Sequence, residues 1–187
     1  GIDLIVVTNV NKIYSNTGIQ RSGATPYAAW TTTTVGGKNE FRKEMGEIIL
    51  AHHIPYAAQA CISYPEDVIS KITKAKNIQG PKYIEILAPC PPGWRFSMDK
   101  TVEMGRLAVD SGAWSLWECE NDVMTFNGKS KLILEKKIQR KPVEEWIKYQ
   151  GRFSHLFKPQ RDEQRLKAIE DYTDNLWERY RKCYAKV

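Results

Sequence analysis

The chain has 187 residues, with 28 lysines and arginines against 22 acids and a formal net charge of +6. That length suffices for one domain with its own core, or one domain plus an extension. No apolar run approaches the roughly 18 residues that a bilayer span requires, and the modest basic excess is spread out and lacks interleaved aromatics, so neither a membrane nor a nucleic acid is expected as partner.

Gly1 opens almost directly into an apolar run, with no initiator Met, basic n-region or apolar h-region, so no secretory signal is read and a start inside a domain is expected. Leu4 to Val7 has the length and composition of a buried strand. It feeds a polar loop, Asn11 to Thr34, reading NKIYSNTGIQRSGATPYAAWTTTT. Asn11, Asn16, Thr17, Gln20, Ser22 and Thr25, with Gly18 and Gly23, offer the neutral dipoles and close backbone N–H groups that recognise an anion or a metal-bound phosphate.

Phe41, Met45, Ile48, Ile49 and His52 recur at helical spacing and predict a helix over 39–53. A strand over 54–63 follows, then a helix that Pro65, Glu66 and Asp67 start and Gly80 stops. Residues 83–88 read as a third strand, and Asp99 as the cap of a helix running to Gly112. This βαβ alternation predicts an α/β fold, doubly wound around a mainly parallel sheet, with ligands at the carboxyl ends of its strands.

Past residue 113 the pattern changes. Short strands are expected over 114–118 and 122–126, and Asn127-Gly128 reads as a hairpin turn into a further strand over 131–135. Pro142 starts a short helix, and Arg161 to Tyr184 is a long charged helix. Residues 1–113 are therefore assigned to the main domain, and 114–187 to a C-terminal hairpin and helical extension that packs on partner subunits. The basic stretch from Lys129 to Lys141 is expected to be a solvated edge.

Four cysteines stand at 61, 90, 119 and 183 without any C-x2-C pair. Neither a self-contained zinc site nor a disulfide framework fits that spacing, so reduced thiols and a cytoplasmic location are the expectation. Cys61, Cys119 and Cys183 read as packing residues, His52 and His53 as capping or core residues, and Arg21 and Arg95 as members of structural ion pairs.

Several stretches taken together resemble one family. They are Tyr14-x-Asn16-Thr17-Gly18-Ile19-Gln20-Arg21-Ser22, Ala24-Thr25-Pro26-Tyr27, Trp30 to Thr34, His53 to Tyr56, Tyr64 to Asp67, Leu87 to Pro91 with Gly93 to Phe96, Arg140 to Glu145, and Gln150 to Phe153. The chain is similar over nearly its whole length to the C-terminal portion of the thiamin diphosphate-binding beta subunit of pyruvate:ferredoxin and related 2-oxoacid:ferredoxin oxidoreductases. That resemblance implies a sheet of the thiamin diphosphate-binding type and CoA-dependent oxidative decarboxylation to acyl-CoA, carbon dioxide and reduced ferredoxin. Pyruvate is the first substrate it suggests; a branched-chain 2-oxoacid, oxalate or an aryl glyoxylate are alternatives, and a non-catalytic assembly module is a different one.

Carried over by position, the resemblance makes Asn11 a side-chain ligand and Ile13 a carbonyl ligand of Mg2+. Tyr14, Asn16, Thr17, Gly18 and Gln20 are implied beside thiamin diphosphate, with Asn16 catalytic through its amide at a developing oxyanion. Cys90 is implied as one thiolate of a 4Fe-4S cluster. The other cluster cysteines, the Gly-Asp-Gly segment and an activating glutamate are implied to come from elsewhere in the oxidoreductase, so this chain alone is expected to be inactive. Where the family usually has Asp-Asn-Glu, this sequence has Val10-Asn11-Lys12, and Lys12 is expected to be available to a phosphate oxygen.

Overall fold

The structure, a computed structural model, describes residues 2–184. Gly1, where the first strand was expected to open, and residues 185–187, the end of the expected extension, lie outside that range. Five strands form one sheet in the order β1-β3-β2-β4-β5. They are β1 (Leu4–Val10), β2 (Tyr56–Cys61), β3 (Pro81–Leu87), β4 (Trp117–Glu120) and β5 (Val123–Phe126). β3 pairs in parallel with both β1 and β2, whereas β2–β4 and β4–β5 are antiparallel. The fold is α/β as expected, and its sheet is mixed: the helix-connected half is parallel, and the hairpin added to it is antiparallel.

Every residue of β2 is buried, because the strand has neighbours on both sides and layers on both faces. Tyr56, Ala58 and Ile84 pack under Ala75 and Ile72 of α2 (Pro65–Lys76) on one face. Ala57, Tyr83, Trp117 and Cys119 face the other way, against Leu176, Trp177 and Tyr180 of the last helix, which spans Glu163–Tyr184. That helix therefore lies on the sheet of its own chain. β1 is an edge strand that leaves Leu4, Val6 and Val7 exposed, and an apolar edge of this kind is a template for further pairing.

Two elements differ from the sequence reading. The helix expected over 39–53 shrinks to α1 (Met45–Leu50). Upstream of it the Phe41 ring stacks between Tyr27 (4.7 Å) and Tyr172 (4.2 Å), and Arg42 pairs with Glu44, so tertiary contacts hold that segment open. The strand expected over 131–135 is a helix, Gly128–Leu134. Asn121 and Asp122 make the hairpin turn instead, with φ of 48° and 65°, the left-handed pair that a two-residue turn requires. After β5, Ser130 accepts the Leu116 N–H (2.8 Å), and Ile133 and Leu134 are buried, which fixes the helix against the hairpin.

The remaining α-helices are Pro91–Trp94, a single turn, Thr101–Asp110 and Glu144–Ile147, with 3-10 helices at Met98–Lys100 and Gly151–Leu156. No helix among the described residues is long and apolar enough to cross a membrane.

Candidate functional site

β1 and β3 run in parallel with Val10 opposite Leu87, so the segments leaving them start side by side. The Ala88 N–H donates to the Val10 carbonyl (3.0 Å), and the Trp94 indole N–H to the Asn11 carbonyl (2.7 Å). Trp94 is buried at the end of the short turn Pro91–Trp94, which prolines at its first positions preset. Cys90 precedes that turn, and its Sγ lies 3.2 Å from Ser15 Oγ.

Gly93 permits this approach. A Cβ there would stand 2.8 Å from Ile13 Cγ2, 3.2 Å from Cys90 Sγ and 3.3 Å from Ser15 Oγ. Two loops that are 75 residues apart in sequence thereby meet at one edge of the sheet.

Asn11 Oδ1 accepts the Ile13 N–H (3.2 Å) and keeps a second lone pair. Among the described residues no donor meets the Ile13 carbonyl. Asn11, Ile13 and Tyr14 line an open cleft of about 540 Å³, together with Ser15, Arg42, Lys43 and Glu85. An amide oxygen and a free carbonyl on one turn are the donor types that a hard cation such as Mg2+ takes.

The structure leaves Asn16, Thr17, Gly18 and Gln20 off the walls of that cleft, on a loop tip beside it. Tyr14 and Gln20 exchange backbone hydrogen bonds (3.0 and 2.8 Å), Thr17 Oγ1 donates to Gln20 Oε1 (2.8 Å), and Thr32 Oγ1 donates to the Gly18 carbonyl (2.6 Å). Gly18 holds φ at 117°, a conformation open in practice to glycine. Asn16 is exposed on this tip.

Three charged residues that the sequence did not single out stand at or near the cleft, Arg42 and Glu85 in its lining and Arg152 next to Trp94. The Arg42 guanidinium is 2.6 Å from Glu44 and 5.1 Å from the Trp114 ring. Glu85 accepts from Gln59 Nε2, and its burial raises its pKa above the usual carboxylate value. Arg152, 0% exposed, lies 4.4 Å from the Trp94 ring; its Nε donates to Gln150 Oε1 (2.9 Å) and its Nη1 to the Lys12 carbonyl (3.3 Å). The Gln150-to-Phe153 stretch was visible in the sequence as a motif, but its burial was not.

Lys12 departs from expectation. Its ammonium lies 4.8 Å from the Trp114 ring centroid and 5.5 Å from that of Trp146, and desolvation lowers its pKa well below the ordinary lysine value. The side chain is packed among tryptophans rather than offered to a phosphate.

The other expectations divide. Cys61 and Cys119 are buried, whereas Cys183 is exposed and so is no packing residue. His52 and His53 are exposed as well, with His53 Nδ1 3.1 Å from Asp122. Arg21 pairs with Glu40 (3.3 Å), and Arg95 lies 3.7 Å over the Trp30 ring. Among the described residues no three His, Cys, Asp or Glu side chains stand together as a metal site. A metal held here would take an amide, a carbonyl or a single thiolate from this chain and its remaining ligands from elsewhere.

No family model matches the chain. Among curated proteins, the ketoisovalerate oxidoreductase subunit VorB of Pyrococcus abyssi is 43% identical over 188 residues, covering 97% of this chain and 57% of the relative. The pyruvate synthase subunit PorB of Methanothermobacter marburgensis is 44% identical over 186 residues, covering 97% and 60%. The chain thus spans little more than half the length of the curated relatives it matches. A solved 2-oxoglutarate:ferredoxin oxidoreductase from Magnetococcus marinus, with 2-oxoglutarate, coenzyme A and succinyl-CoA bound, aligns with 56% of this chain and 43% of its own at 22% identity and a TM-score of 0.47.

Proposed function

We propose that this chain, a homologue over nearly its whole length of the B subunits of pyruvate synthase and ketoisovalerate oxidoreductase, is the part of a 2-oxoacid:ferredoxin oxidoreductase that holds one side of a magnesium–thiamin diphosphate and one corner of a 4Fe-4S cluster. The observation that carries the reading is the meeting of two loops: Asn11 and Ile13 leave β1 where Cys90 leaves β3, with Gly93 keeping the space between them narrow. Asn11 Oδ1 and the Ile13 carbonyl would hold the metal, and the Cys90 thiolate the cluster.

Thiamin diphosphate, when bound, supplies the carbon nucleophile and electron sink that decarboxylation of a 2-oxoacid requires. The chain's own part is to position and to exclude water. Trp94, donating to the Asn11 carbonyl from a buried site, fixes the turn that presents the metal donors. Asn16, on its exposed tip, has an amide free to approach a substrate oxygen.

One thiolate cannot hold a four-iron cluster, so the other three belong to a neighbouring segment, as does the carboxylate that a magnesium diphosphate wants. The exposed apolar edge of β1 supports the presence of such a neighbour. Coenzyme A, ferredoxin and the 2-oxoacid complete the reaction, in which acyl-CoA and carbon dioxide form and two electrons leave singly to ferredoxin.

The relatives' names divide between pyruvate and ketoisovalerate at nearly equal identity, so both acids belong in the test. The purified assembly, given coenzyme A and ferredoxin, is expected to reduce ferredoxin with one of them, with pyruvate first, and to contain thiamin diphosphate and iron. An assembly with neither thiamin nor iron–sulfur iron would defeat the proposal.

A further inference from the structure

Arg152 is a fully buried guanidinium for which the described residues supply no carboxylate. Its side chain is 0% exposed, and among the described residues no Asp or Glu lies within ion-pair distance. Two of its nitrogens are engaged, Nε by the Gln150 amide oxygen and Nη1 by the Lys12 carbonyl, while Nη2 meets no acceptor. Burying a guanidinium is costly unless an anion compensates, so an orphan donor on such a group is not a neutral detail.

The position of the side chain indicates where that anion belongs. The guanidinium lies 4.4 Å from the Trp94 ring, the Trp94 backbone N–H bonds to the Cys90 carbonyl (2.8 Å), and the Lys12 carbonyl that Nη1 meets is one residue from Ile13. Desolvation lowers the Arg152 pKa, and among the described residues the Cys90 thiol acts against that shift. Arg42, by contrast, has Glu44 at 2.6 Å and needs nothing from outside.

We propose that Arg152 is a positioning residue for the cluster bound at Cys90: its charge and its unpartnered Nη2, behind the loop that carries Cys90, favour the reduced form of the anionic thiolate–sulfide group. This rests on the reading of Cys90 as a cluster ligand. Net charge and hydrogen bonds to the sulfurs are among the levers by which a protein sets an iron–sulfur potential, and residues behind the ligands act in this way generally. A buried positive charge stabilises the added electron, so removing it lowers the midpoint potential.

The test uses the complete assembly and reads each cluster by redox titration with electron paramagnetic resonance, alongside iron content. Cys90→Ser identifies the relevant cluster as the signal that disappears. In Arg152→Gln that signal is expected to persist with unchanged iron but to titrate at lower potential, such that the reduced-to-oxidised ratio at a fixed potential falls about tenfold, or roughly 59 mV for one electron. Arg152→Lys, which keeps the charge, is expected to recover most of the shift.

An unchanged midpoint in Arg152→Gln, or equal shifts in the Gln and Lys variants, overturns the inference while leaving Cys90 as ligand. If Cys90→Ser changes no cluster signal and no iron content, Cys90 ligates nothing, and the inference falls with the reading beneath it. Should Arg152→Gln not assemble, Gln150→Glu is read instead. It sets a carboxylate on Nε of an intact Arg152, so a lowered midpoint is expected and an unmoved one is fatal.

Discussion

Lys71 on the α2 side of the sheet and Lys12 and Arg152 at the site end are buried cations held in opposite ways. On the α2 side, Lys71 is 1% exposed, yet its ammonium has Asp67 at 2.7 Å and the Gln59 carbonyl at 2.9 Å. At the site end, Lys12 is 2% exposed and rests on two tryptophan rings, and Arg152 has an orphan nitrogen; neither has a carboxylate partner among the described residues within ion-pair distance. A buried cation that its own chain satisfies belongs to the fold. One that the described residues leave partly unsatisfied is where, on the proposal above, a group from outside the chain would be met.

Substitutions break or sharpen this contrast. The largest effect on stability is expected from Asp67→Ala, which strands Lys71 in the core and should cost about 3 kcal/mol in denaturant unfolding, because a buried charge loses its partner. A loss below about 1 kcal/mol would mean that Lys71 behaves as a surface lysine and that the two sides do not differ.

Gly93→Ala comes next. Its Cβ would press Ile13 at 2.8 Å and Cys90 at 3.2 Å, so about 1–3 kcal/mol of overpacking is expected, together with reduced iron content in the assembly. Wild-type iron content in this variant would show that the two loops need not approach so closely.

Lys12→Met acts in the other sense. A chain of similar length without charge should fit between Trp114 and Trp146 and raise thermal stability, by about 1 kcal/mol. Destabilisation on that scale would show the ammonium to be a satisfied structural group after all.

The smallest effect is a pH slope. Burial raises the Glu85 pKa above 4.5 in the folded state, so the folded chain holds this proton more tightly than the unfolded one. Its contribution to stability is present below pH 4.5 and is lost as pH rises through the raised folded value. In Glu85→Gln that fall is expected to vanish, giving a flatter profile of unfolding free energy above pH 4.5; an identical slope in both proteins would assign the pH dependence elsewhere.

Much of the scaffold was legible because local signals and burial agree. The apolar run of β3 and the Pro65 start of α2 lie where periodicity and turn chemistry place them, whereas β1 forms where expected but as an exposed edge, not the buried strand its composition suggested. The misreadings have tertiary causes. Asn127-Gly128 carries a strong hairpin signal, but the turn is made by Asn121 and Asp122, since Ile133 and Leu134 gain more by facing the core from a helix. The 39–44 stretch has helical spacing, but stacking of Phe41 on Tyr27 and Tyr172 overrides it.

At the site, Asn11, Ile13 and Cys90 were named from motifs, and parallel pairing of β1 with β3 accounts for their common edge. Arg152 could not be picked out in the same way. Its importance lies in what its surroundings lack, and a motif does not record burial or an unpaired nitrogen.

The central claim is that the turn after β1 holds the metal of a bound diphosphate. Calorimetric titration of thiamin diphosphate with Mg2+ into the cofactor-depleted assembly tests it most directly, comparing the native protein with Asn11→Ala and with Asn77→Ala at the far end of α2. The account predicts at least about tenfold weaker binding for Asn11→Ala, roughly 1.4 kcal/mol, and no change for Asn77→Ala. Equal affinity in all three proteins would contradict it.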